Sequence, residues 1–176
     1  MKIAKLIING IDRLNEVVGQ GVSWLTTLLV LVFVYDVTMR YMFNQTSVAI
    51  FEVEWHLFAM IFLLGAGFAF KHDRHVRVDL FYAKFLPRTK ALVNLLGSLL
   101  FLVPFCLVGI YYASNFAYQS FLIGEGSSDP GGLPYRFVIK SMIPLGLSFL
   151  LLQGISLILK SFLTITKVEN YFVREV

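Results

Sequence analysis

The stretch Ile50–Phe70 constrains this chain more than any other. It opens with two carboxylates, Glu52 and Glu54, and then carries no charge until a basic patch begins at Lys71. As a helix its 21 residues measure about 31 Å, close to the thickness of a bilayer's hydrocarbon core. Three more apolar runs, about 17–39, 91–118 and 137–159, are long enough for the same task. The chain is 57% hydrophobic and only 15% charged. A soluble domain of 176 residues has too little interior to hide so much apolar surface, so lipid must cover it. The expectation is an all-α membrane protein with four transmembrane helices.

The chain divides into three parts on this reading. Residues 1–16 place Ile3, Leu6, Ile7, Ile11 and Leu14 on one helical stripe and Lys2, Lys5, Asp12, Arg13 and Glu16 on the other face. That pattern predicts an amphipathic helix lying at the membrane interface, with a helix packed on a partner as the other option. Residues 17–160 form the four-helix domain, and 161–176 a tail. The first apolar stretch is too long for a signal peptide and lacks a small-x-small cleavage site after it. The single cysteine, Cys106, lies deep in the third run and reads as a packing residue.

Charges cluster at the ends of the spans. Asp36 and Arg40 stand four apart with the acid first, the favourable order for a helical pair. The short, uncharged link through Asn44 and Gln45 makes spans one and two antiparallel neighbours. Glu52 and His56 share a helical face, whereas Glu54 points elsewhere, and Trp55 suits a membrane–water boundary. The basic connection after span two holds His75, Arg77 and Asp79. In span three Gly109, Ala113 and Ala117 recur at four-residue spacing, a ridge that allows close helix approach. Pro104 predicts a bend there, unless the long span tilts or projects beyond the bilayer. The segment G-E-G-S-S-D-P-G-G-L-P-Y-R at 124–136 carries Glu125, Asp129 and Arg136 and predicts a turn at Pro130–Gly131.

Four spans bring both termini and the middle connection to one side. That side holds twelve of the fifteen Lys and Arg residues, so the positive-inside rule places the termini in the cytoplasm. The net charge of +4 is therefore a topology signal, and no nucleic-acid partner is expected. No charged residue falls at mid-membrane, where ion-coupled carriers keep theirs. Only His56 lies inside a span, which does not supply heme ligands, and His75 with Asp79 does not make a metal site. No cofactor, metal or catalytic set is expected. The pattern reads as a membrane body that supports another subunit, with lipid as its other contact. The alternative is a small self-sufficient oligomeric exporter that uses Glu54.

Four short motifs carry a resemblance: M-R-Y at 39–41, E-V-E-W-H at 52–56, H-V-R-V-D-L at 75–80, and G-G-L-P-Y-R at 131–136, followed by I-P at 143–144 and L-Q-G at 152–154. In that order and spacing the chain resembles the small membrane subunit, DctQ-like, of tripartite ATP-independent periplasmic (TRAP) transporters. The resemblance implies a large membrane subunit that moves an organic acid inward on a sodium gradient, and a periplasmic binding protein that captures it. The small subunit then braces the large one and helps form the docking surface, in the inner membrane of a bacterium or archaeon. The E-V-E-W-H variant resembles a branch linked to 2-oxo acids and related monocarboxylates. Asn44, Gln45, Glu125, Asp129 and Arg136 are expected near the docking surface.

Overall fold

The structure, a computed structural model, describes residues 2–72, 82, 85–167, 169 and 171–172. Four long apolar helices account for nearly all of them: α1 Lys2–Phe43, α2 Val48–Lys71, α3 Pro87–Leu122 and α4 Phe137–Ile165. Each meets the length and hydropathy expected of a membrane span, and the chain is a multi-pass membrane protein. The apolar runs foreseen at 17–39, 50–70, 91–118 and 137–159 all lie inside these helices, which extend several residues past most of their ends.

Helix α1 is continuous for 42 residues, about 63 Å, so residues 2–16 and the first span share one axis. No proline interrupts it, and its glycines are spaced singly enough for the helix to tolerate them. The side of residues 2–16 that faces the bundle is mixed: Ile8 and Asn15 are buried and Asp12 and Glu16 half-buried, while Lys2, Lys5 and Arg13 are exposed, as are Ile3, Leu6 and Leu14. The helix ends at Asn44, whose φ of 52° is a left-handed conformation that Asn tolerates, and the Gln45 amide returns to the Met39 carbonyl at 3.1 Å.

Helix α4 is the centre of the bundle, packing against α1, α2 and α3. It runs parallel to α2 and antiparallel to α1 and α3. Two glycines set the α2–α4 spacing. A Cβ on Gly146 would fall against the Leu63 backbone carbonyl, and one on Gly67 would meet the Asn15 side chain and the Phe149 backbone. Backbone cannot step aside as a side chain can, so these two positions hold the helices in direct contact.

Helix α3 begins with Pro87 in its first turn, a position where the missing N–H costs nothing. Where Pro104 predicts a bend, the helix instead widens into a π-turn over Ser98–Leu102, with the Val103 amide bonded to the Ser98 carbonyl. Proline has no N–H for the carbonyl four residues back and its ring crowds that carbonyl; the wider register accommodates both. Pro144 sits inside α4, where the Ser148 hydroxyl donates to its carbonyl at 2.7 Å.

Candidate functional site

At the end of the bundle opposite the termini, Glu52 organises the connection between α3 and α4. Its residue is 2% exposed, and it accepts three hydrogen bonds: from the Ser127 hydroxyl at 2.5 Å, the Leu133 amide at 2.6 Å and the Arg136 guanidinium at 2.7 Å. A buried carboxylate with charge-assisted donors of this kind is fully satisfied. Arg136 also lies over the Trp55 ring, 5.5 Å from its centroid. His56, one turn after Glu52, donates from Nδ1 to the Glu52 carbonyl.

The loop supplies its own internal frame. The Gly132 amide bonds the Asp129 carbonyl at 3.0 Å and Gly131 has a φ of 81°, so Asp129–Gly132 is a turn with proline first and a left-handed glycine second. The Ser127 amide reaches the Leu133 carbonyl at 3.0 Å, and the Arg136 amide reaches the Glu125 carbonyl at 2.8 Å. Between the two Glu52 donors Leu133 and Arg136 sits Tyr135 at a φ of 63°, a region costly for a bulky residue. Glu125 is ion-paired with Lys140, and that hydrogen-bonded ammonium, aided by Ser120, holds the Glu125 carboxyl below its ordinary range.

Glu54 faces the other way, toward α1. Asp36 and Arg40 form the ion pair that their spacing foretold, and Asp36 is buried. Glu54 has no such partner among the described residues, and its Oε1 is buried without a hydrogen bond.

At the termini end, a second polar network joins α1 to α4. Asp12 accepts from Lys160 at 2.6 Å, Ser156 at 2.8 Å and Gln153 at 3.0 Å. Asn15, which is 0% exposed, donates to Gln153 at 3.0 Å. Glu16 pairs with Lys71 at the end of α2, and Lys5 with Glu169 at 2.7 Å. The described charges thus occupy two tiers, with an apolar belt between them.

A family model for tripartite ATP-independent periplasmic transporters, DctQ component, matches residues 29–164. The chain belongs to the DctQ family. It is therefore the small membrane subunit of a TRAP transporter, a tripartite system that implies membrane and periplasmic partners. No curated protein matches it. The match spans both tiers of polar contacts except for the α1 side of the termini-end network and Glu169.

Within this DctQ chain the sequence-derived candidates separate. Glu52, Trp55, His56 and Arg136 converge on one cluster, with Glu125 and Asp129 in the loop beside it. Asn44 is a helix-ending residue, and both it and Gln45 are exposed at the same end. Gly109 packs on Leu147, and Ala117 is buried, so the small-residue ridge meets α4 of the same chain. His75, Arg77 and Asp79 lie outside the described residues. Asp12, Asn15 and Gln153 were not among the residues expected to matter. Their only signal was a polar face on the first helix and a glutamine within a span.

Proposed function

We propose that this DctQ chain is a non-catalytic scaffold of a sodium-coupled TRAP transporter. It braces the large membrane subunit and helps dock the periplasmic binding protein during uptake of an organic acid, a 2-oxo acid or related monocarboxylate. The observation that carries this reading is the two-tier arrangement of charge. Among the described residues no Asp, Glu, Lys, Arg or His side chain lies between the tiers, where a carrier keeps its coupling groups. Both tiers instead serve to hold helices and a loop in place, as a brace requires.

The excess of Lys and Arg on the termini side supports cytoplasmic termini and an inner-membrane location. The loop held by Glu52 then faces the periplasm, where Asn44, Gln45, Asp129 and the loop rim are available for docking. The exposed stripe of Ile3, Leu6 and Leu14 suits contact with the headgroup region. A self-sufficient exporter finds no support, because the family is a component of a three-part system.

The test is reconstitution. The small and large subunits are expected to copurify, and liposomes with both and the binding protein to take up solute on a sodium gradient. Omitting the small subunit is expected to abolish uptake. Transport by this chain alone would overturn the reading.

A further inference from the structure

Among the described residues Glu54 is a carboxylate within a span that the bundle leaves unanswered. Glu52, two residues earlier, has three donors, and Asp36 has Arg40. Among the described residues Glu54 has no hydrogen bond or ion pair, and its Oε1 is buried. It lies in a groove of about 490 Å³ between α1 and α2, whose walls include Leu29, Phe33, Phe51, Trp55 and Phe58. Phe33, Phe51 and Phe58 are more than half exposed. An uncompensated carboxylate among apolar walls at membrane depth is costly unless a partner answers it.

We infer that this groove seats a helix of the large membrane subunit, which brings an arginine or lysine side chain to the Glu54 carboxylate. The inference rests on the scaffold reading above. Charge selects the occupant. Glu54 is the charged residue that lines the groove, and Asp36 and Arg40 nearby neutralise each other, so one negative charge remains for a cation to complement. Acyl chains carry no donor, and headgroup amines belong at the surface, whereas Glu54 lies six residues into α2, about 9 Å along the helix. A second copy of this chain would bring a second Glu54 to the first. Aromatic walls around a single charged anchor are also the composition of a binding hot spot.

The test uses the complex of the small and large subunits. A photo-crosslinking phenylalanine analogue is placed at Phe33 or Phe58, and at Tyr112 on α3 as a control. The groove positions are expected to yield adducts with the large subunit. Adducts only with a second copy of this chain, or only with lipid, from a complex that still copurifies would overturn the inference and leave the scaffold reading standing. Failure of the unmodified chains to copurify would overturn the scaffold reading and this inference with it. In parallel, Glu54→Leu and Glu54→Arg are expected to lower recovery of the large subunit about tenfold. The isolated small subunit should keep its unfolding temperature, because Glu54 has no hydrogen-bond or ion-pair partner among the described residues. Unchanged recovery with both variants would also overturn the inference.

Discussion

Glu52 and Arg136 lie 84 positions apart and meet at 2.7 Å. That contact closes α2 onto the start of α4 and fixes the loop between α3 and α4 from below. A loop with three exposed glycines, Gly124, Gly126 and Gly131, is thereby given one conformation at the end of the bundle proposed to meet the binding protein.

Removing the carboxylate undoes this. Glu52→Ala strands the Leu133 amide and the Arg136 guanidinium, and is expected to lower the unfolding temperature in detergent by about 5 °C or more. Glu52→Gln keeps one acceptor and is expected to fall between. Equal melting of all three proteins would show that the contact holds nothing.

Close packing of α2 on α4 has its own signature. Gly146→Ala pushes a methyl group against the Leu63 carbonyl, and Gly67→Ala pushes one against Phe149 backbone. Each is expected to destabilise the chain by about 1–3 kcal/mol, measured by denaturant titration in mixed micelles. Gly126→Ala, where no atom lies near, serves as the neutral control.

Asp12 and Lys160 tie the N-terminal part of α1 to α4. Lys160→Met leaves Asp12 without its cation and is expected to cost about 1–2 kcal/mol. Adding Asp12→Asn should recover part of that loss, because the uncompensated charge then disappears. A double variant whose loss equals the sum of the singles would argue that the two side chains act separately.

The Glu125–Lys140 pair gives a pH dependence with a definite sign. The folded-state pKa of Glu125 is depressed by its hydrogen bond to Lys140, so the pair's contribution is full above the ordinary carboxylate pKa. It is lost as pH falls below about 4.3 and through the lower folded value. The stability difference between the native chain and Glu125→Gln should therefore be present at pH 7 and shrink on acidification. A constant difference from pH 7 to pH 3 would contradict this assignment.

Asp129 offers the cleanest probe of docking, because it is exposed and its side chain takes no part in the Glu52 cluster. Asp129→Lys is expected to reduce binding-protein-dependent uptake several-fold while the membrane complex still assembles. Glu125→Lys is less informative, since it also sets two cations against each other beside Lys140.

Several of these features were readable in the residues themselves. Asp36 with Arg40, the Pro130–Gly131 turn and the split between Glu52 and Glu54 all follow from helical or turn spacing over a few residues. The π-turn before Pro104 was not foreseen: a bend there was one of three options for the long span, beside tilt and projection, because proline dictates that the regular register fails and not how the neighbours absorb it. The roles of Gly67 and Gly146 were not readable at all. Single glycines in apolar runs look alike until the opposing backbone is in place.

The order of amino acids by itself determined four spans, two tiers of charge and an apolar belt between them. Those depend on how much each side chain costs to strip of water and on helix length, both local properties. Only the tertiary structure decided which carboxylate is answered and which is not. Glu52 finds its donors 75 to 84 positions downstream, in a loop that chain folding delivers to it, while Glu54 faces a groove where none arrives.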